Sequence, residues 1–273
     1  MSTTRVGMHV FRFCAGGGLA LLIACGAAPP PRPAADGRGD QAAEMFRERC
    51  QRAGEFIRRT VEEVDGIVLL TLRPKDINFS DQYRLDDPYG FDVTGDGYIE
   101  SLLRGSRFSP SLPPRPEQAY SGYLYVEARD PDGAWYRYTG AWKEVERVSS
   151  NLIGGDGRRF RANQFVLDKT RVSSAQATYG ITFEDISTKE ERDHWIAGSS
   201  LRIIDLKTNE VIAERIGYMV DPGQGATGGG RSPWILASRY ACPAFPPTPS
   251  GPAIQLHQTL RFAEKVLHPT KQQ

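Results

Sequence analysis

Residues 123–139 read Tyr-Leu-Tyr-Val-Glu-Ala-Arg, Asp-Pro-Asp-Gly, Ala-Trp-Tyr-Arg-Tyr-Thr. Two runs suited to extended chain, Tyr123–Arg129 and Ala134–Thr139, flank a tetrapeptide in which Pro131 presets φ and Gly133 tolerates a tight bend. The stretch predicts a β-hairpin, and the pattern recurs. Leu201–Leu206, the turn Lys207-Thr208-Asn209-Glu210 and Val211–Val220 give a second hairpin. Gln164–Asp168 and Tyr179–Phe183 add strands. Upstream, Phe56–Val61 and Ile67–Leu72 read as strands around Glu62-Glu63-Val64-Asp65-Gly66, whose Asp-Gly marks a turn. Ile67-Val68-Leu69-Leu70 is apolar at consecutive positions, as expected of a strand buried on both faces.

Helical periodicity is confined to fewer places. Gln41–Ala53 puts Ala42, Met45, Phe46 and Cys50 near one face, with Gly54 as its stop. Ile254–Leu267 reads as a C-terminal helix closed by Pro269. Ser187-Thr188-Lys189-Glu190 has the form of a capping box and opens a short helix ending near Trp195. Strands joined by turns, with no regular alternation of strand and helix, predict an α+β fold. The expectation is a mainly antiparallel β-sheet with N-terminal and C-terminal helices, in a single domain over residues 40–273.

The first 39 residues cannot belong to that core. A leader with Arg5, Arg12 and no acid precedes Phe-Cys-Ala-Gly-Gly-Gly-Leu-Ala-Leu-Leu-Ile-Ala-Cys at 13–25. Such an apolar run is too short to span a bilayer, which takes about 20 residues, and it has the layout of a secretory signal. Leu22-Ile23-Ala24-Cys25 resembles a bacterial lipoprotein cleavage box. The resemblance implies a signal peptide over 1–24, cleavage before Cys25 and lipidation of its sulfur. Gly26 follows the cysteine and no Asp stands there, which by analogy with Gram-negative sorting implies the outer membrane, facing the periplasm. Residues 25–39 then form a lipidated tether rich in Pro, Ala and Gly. Its 13 residues from 27 to 39, extended at ~3.1 Å each, reach roughly 40 Å.

Cleavage would remove two of the 34 Lys and Arg and none of the 33 Asp and Glu, leaving a charge near −1. That balance gives no basis for binding nucleic acid. Of four cysteines, Cys14 departs with the leader and Cys25 takes the lipid. Cys50 and Cys242 remain, an even pair expected to bridge in an oxidising compartment.

Motifs for chemistry are sparse. Asp92, Thr94 and Asp96 fall at positions 1, 3 and 5 of an EF-hand-type loop, with Gly97 at 6 and Glu100 at 9. Position 12 is Leu103 where a bidentate acid belongs, so Asp92, Thr94, Asp96 and Glu100 form a candidate Ca²⁺ set weighed against a tight turn with solvated carboxylates. Gly223-Gln224-Gly225-Ala226-Thr227-Gly228 matches the dinucleotide fingerprint in form. Gly229-Gly230-Arg231-Ser232-Pro233 follows it, where a helix should open, so no nucleotide is expected and a mobile loop is the better reading. Ser199 and Ser200 lie near His194 without a nucleophile elbow, and His194 reads as structural. Asp86-Asp87 and Glu62-Glu63 are carboxylate pairs of low specificity. The aromatic hairpin offers Tyr123, Tyr125, Arg129, Trp135, Tyr136 and Arg137 as candidate anchors for a protein partner, provided that they are exposed.

Asp81-Gln82-Tyr83-Arg84-Leu85-Asp86-Asp87-Pro88-Tyr89-Gly90, Gly95-Asp96-Gly97-Tyr98-Ile99 and Trp195-Ile196-Ala197-Gly198-Ser199-Ser200, with Leu201 to Asp221, resemble a group of uncharacterised proteobacterial lipoproteins. The arrangement of lipid, spacer and one disulfide-closed domain is also similar to that of type VI secretion immunity lipoproteins, which neutralise an effector in the periplasm. With no coherent catalytic set, the expectation is a non-enzymatic, lipid-anchored envelope protein that binds another protein. The alternatives are a periplasmic hydrolase with a dispersed site and a structural envelope lipoprotein. No cofactor is expected beyond the Ca²⁺ candidate.

Overall fold

A computed structural model describes residues 37–73, 75–105, 122–149, 157–246 and 255–271, which belong to one compact unit. The leader, Cys25 and most of the tether lie outside the described residues. Strands run in chain order as β1 (Gly54–Ile57), β2 (Val61–Val64), β3 (Gly66–Leu69), β4 (Tyr125–Arg129), β5 (Trp135–Val148), β6 (Arg159–Val172), β7 (Tyr179–Asp185), β8 (Ile196–Asp205), β9 (Glu210–Val220), β10 (Ala241–Cys242) and β11 (Leu267–Pro269). Helices are α1 (Arg38–Cys50), α2 (Asp96–Arg104), α3 (Lys189–Asp193), α4 (Pro233–Ala237) and α5 (Gln258–Val266).

A nine-stranded sheet has the order β1-β9-β8-β7-β3-β4-β5-β6, with β10 also on β9. Both hairpins form. Ala128 faces Tyr136 across the first, and Ser200 faces Ile216 across the second. The sheet is mainly antiparallel, but β3 runs parallel to both of its neighbours, β4 and β7. Ile67, Val68 and Leu69 are therefore fully buried, as their consecutive apolar pattern requires, while Leu70 lies beyond the strand and is exposed.

Several sequence expectations need correction. Besides the expected short helix α3, two further helices, α2 and α4, lie between strands. The first helix begins inside the segment read as tether. Glu62, Glu63 and Val64, read as part of the connection between two strands, instead join Val61 in a strand parallel to β11 near the far end of the sequence. No local pattern can reveal a partner about 200 residues away. Thr188, not Ser187, caps α3, with Glu191 completing the box through bonds of 3.1 and 2.6 Å.

Packing follows the apolar stripes. Tyr98, Ile99, Leu102 and Leu103 of α2 join Leu260, Phe262, Ala263 and Val266 of α5 in the main core with β3, β4, β8 and β9. Met45 and Phe46 of α1 pack with Ala42 on Ile196, Tyr218 and Val220. Cys50 and Cys242 are bridged across 192 residues of sequence, tying the end of α1 to β10. In the chain-entropy picture, closing so long a loop stabilises by about 5 kcal/mol before strain.

Candidate functional site

The segment from Arg73 to Thr94 forms little regular structure, yet it is fixed from within. Asn78, 6% exposed, is its hub. Its Nδ2 donates to the carbonyls of Asp81 and Arg84 and to Asp86 Oδ1, and its Oδ1 accepts the amides of Ser80 and Asp81. One side chain thus satisfies donors and acceptors that water would otherwise take. Trp234 of α4 donates its backbone N–H to the Phe79 carbonyl and its indole N–H to the Asp81 carbonyl. The loop folds around the Asn78 side chain and leaves several large side chains in solvent. Phe79 is 41% exposed, Tyr83 68%, Leu85 62% and Ile235 of α4 49%.

Beside this face lies a cavity of about 220 Å³. Ile77, Leu85, Pro88, Phe91 and Phe183 supply apolar walls, and Asp76, Asp86, Asp87, Asp92, Glu184 and Asp185 supply carboxylates. Arg73 is buried against it, its guanidinium carbon 3.4 Å from the Phe183 ring centre. Asp87 Oδ2 accepts from Arg73 Nη1 at 2.9 Å and from Ser199 Oγ at 2.8 Å, while Oδ1 accepts the Gly90 amide at 2.6 Å. A Cβ at Gly90 would collide with this carboxylate, so the close approach requires glycine. Burial opposes the charged form of Arg73, but its electrostatic interactions, that with Asp87 foremost, outweigh it and raise its pKa. Arg192, 1% exposed, donates to the Asp86 carbonyl at 2.5 Å and pairs with Asp185. Burial raises the pKa of Asp185 above the ordinary carboxylate value, against the pull of Arg192. Among the described residues, Arg73 Nε and two nitrogens of Arg192 are buried without a hydrogen-bond partner. In a wider groove bounded by Glu55, Phe245 and Lys265 the buried arginine, Arg215, is bonded to Tyr89 and Gln258.

The calcium candidates hold other roles. Asp92, 1% exposed, accepts the His257 amide at 2.5 Å and the Thr259 amide at 2.9 Å, capping the start of α5. Asp96 opens α2, Glu100 pairs with Arg104 one turn on, and Thr94 lines the cavity. Among the described residues no group of three His, Cys, Asp or Glu is placed to hold a metal ion.

The hairpin anchors do not form one patch. Tyr123 is 1% exposed and its hydroxyl donates to the Leu267 carbonyl, so it is a core residue. Tyr125, Arg129, Trp135 and Arg137 share one face, where Arg137 stacks on Tyr125 and pairs with the buried Glu127. Tyr136 points to the other face and bonds Asp132. Ser199 meets Asp87, with no histidine, and His194 Nδ1 lies 2.9 Å from the Glu190 carbonyl. The start of the glycine-rich loop, the segment expected to be mobile, converges on one carboxylate. Asp221, with no exposed surface, accepts the amides of Gly223 and Gly225 and both terminal nitrogens of Arg231.

Phe79, Tyr83 and Leu85 escaped the sequence reading of the site. The signal available was Asn78 leading Ser80 and Asp81, an Asx-turn pattern that pins a loop bearing large apolar residues. No helix among the described residues is long and apolar enough to cross a membrane. No protein-family model matches the chain, and neither a curated protein nor a solved structure is detectably similar to it.

Proposed function

We propose that this chain is a lipid-anchored envelope protein that works by binding another protein, with neutralisation of a periplasmic effector as its most concrete form. One observation carries the reading: a loop locked by Asn78 presents Phe79, Tyr83 and Leu85 to solvent beside Ile235. Large apolar side chains held in solvent on a fixed scaffold suit an interaction site, and tyrosine and arginine are enriched among the residues that dominate interface energetics. Arg84 stands between the two most exposed of these side chains. The lipoprotein-like leader supports the location, and the Pro-rich tether gives the face reach toward a soluble partner.

The test uses the full-length protein in solubilised envelope. A partner recovered with wild type should be lost with Tyr83→Ala/Leu85→Ala and kept with Tyr136→Ala, and its amides at 79–85 should gain protection from hydrogen exchange. Recovery that survives the double substitution would sink the reading.

A second reading, a periplasmic hydrolase, is favoured by Asp185. Burial makes it hold its proton more tightly than an ordinary carboxylate, as a general acid requires, and it lines a cavity. Turnover of ester, peptide or glycan substrates that vanishes with Asp185→Asn would select it.

A further inference from the structure

β6 ends the order of the nine-stranded sheet, and among the described residues no strand pairs with its outer edge. It runs beside β5 without a register break, from Trp135 against Val172 to Val148 against Arg159. β4 pairs with β5 only from Trp135 to Tyr138. The pairs from Thr139 against Asp168 onward therefore form a ribbon with no third strand among the described residues. A two-stranded ribbon is marginally stable by itself in water, so a third strand is favoured there.

The ladder fixes which groups the edge offers. The Ser149 amide donates to the Arg158 carbonyl, and bonded pairs recur at every second residue of an antiparallel ladder. Even-numbered residues of β6 thus turn their N–H and C=O toward β5. The odd-numbered residues from Arg159 to Arg171 turn theirs outward, and their side chains share one face.

Two pairs of cations stand on that face, Arg159 with Arg161 and Lys169 with Arg171, and no acid of β6 shares it. Arg159 and Arg161 pair with Glu146 and Glu144 of β5, but their side chains stay 77% and 76% exposed. Exposed pairs of this kind add little and leave most of each guanidinium in water. Lys169 pairs with Asp130, and exposed Arg171 makes no ion pair among the described residues.

This pattern discriminates between occupants. Antiparallel pairing with β6 of a second copy, centred on Phe165, sets Arg159 against Arg171 and Arg161 against Lys169. Sliding the copies by two residues sets Arg159 against Lys169 one way and Arg161 against Arg171 the other. Like charges directly opposite are destabilising, so the edge disfavours its own copy. The β5 edge of a second copy carries Glu144 and Glu146, but β4 closes that edge from Tyr138, so it cannot meet both pairs of cations. An extended segment with acids at matching alternate positions meets both. It does so in either direction, because the cation spacing reads the same both ways. Its backbone also satisfies the outward N–H and C=O groups, the main-chain part of recognition by strand addition.

We propose that the outer edge of β6 is a docking site for an acidic extended segment of another protein, which adds to the sheet as a further strand. The site is separate from the face around Tyr83, and its test leaves that reading untouched.

The probe is the peptide Glu-Thr-Glu-Thr-Val-Thr-Val-Thr-Val-Thr-Glu-Thr-Glu, labelled at one end and titrated with the full-length protein in detergent by fluorescence anisotropy. It should bind, and amide exchange should slow at Asn163, Phe165 and Leu167 more than at Ala162, Gln164 and Val166, which already face β5. A peptide with Lys in place of every Glu should bind about tenfold more weakly or worse. So should one with Pro in place of every Val, since those residues donate to β6. Arg161→Glu/Arg171→Glu, at exposed positions, should weaken the acidic peptide and strengthen the lysine peptide, with circular dichroism unchanged. Should that variant fold poorly, the peptide series on wild type still decides. Equal binding of the proline peptide would show charge attraction without strand addition and overturn the proposal. Equal binding of the lysine peptide, no binding of the acidic one, or self-association that protects the same amides would overturn it as well.

Discussion

Asn78 Nδ2 lies 2.9 Å from Asp86 Oδ1, so the residue that folds the exposed loop also fixes a carboxylate of the cavity. The two candidate surfaces share one support, and disturbing it should loosen both.

Asn78→Ala removes the donor for two carbonyls and one carboxylate and the acceptor for two amides. We expect a loss of about 1–3 kcal/mol, the scale for buried polar groups left unsatisfied. Amide exchange over 78–86 should accelerate more than exchange in β8 and β9. Equal exchange in the two regions would show that the loop is held by something else.

Arg231→Ala leaves the fully buried Asp221 carboxylate with backbone amides alone. Breaking a buried pair from one side costs roughly 3–5 kcal/mol. Chemical denaturation should show a loss on that scale, and Asp221→Asn added to Arg231→Ala should recover part of it, because the uncompensated charge is gone.

Burial pushes the Tyr89 phenol up to about 12, against the opposing influence of Arg215. Above its ordinary value near 10 the unfolded chain releases this proton while the native state keeps it. Stability should therefore fall as pH rises from about 10 to 12, and the slope should be shallower in Tyr89→Phe. The variant should also be less stable at neutral pH, having lost the Arg215 contact at 2.9 Å. Identical alkaline slopes in the two proteins would remove Tyr89 from the account.

Asp92→Ala uncaps α5. The expected cost is about 1–2 kcal/mol, as for a lost N-terminal cap, read as a fall in melting temperature. Because the carboxylate is bonded to the His257 and Thr259 amides, millimolar Ca²⁺ should leave the wild-type melting curve in place. A calcium-dependent rise that Asp92→Ala and Asp96→Ala abolish would select the metal reading instead.

Much of the framework is legible along the chain. Asp130-Pro131-Asp132-Gly133 and Lys207-Thr208-Asn209-Glu210 announce their hairpins because a turn is fixed by four consecutive residues. Ile67-Val68-Leu69 announces a buried strand because alternation fails there. Cys50 and Cys242 announce a bridge because two remain once the leader and lipid positions are set aside. These are short-range signals or signals of number, and neither depends on knowing what lies nearby in space.

The binding surfaces are of the other kind. Arg73 meets Phe183 and Asp87 meets Ser199 across more than one hundred residues of sequence, and Trp234 holds a loop centred on Asn78. The same distance hid β2's pairing with β11 and the role of Asp92 as a cap for α5. On the aromatic hairpin, residue type was readable but exposure was not. Whether Tyr123 or Tyr83 reaches solvent depends on which distant segments pack over each one. Local composition fixes backbone preference, because torsional and turn energies involve near neighbours. Burial, charge pairing and cavity shape arise only when the chain brings remote residues together, so the tertiary structure alone decided them.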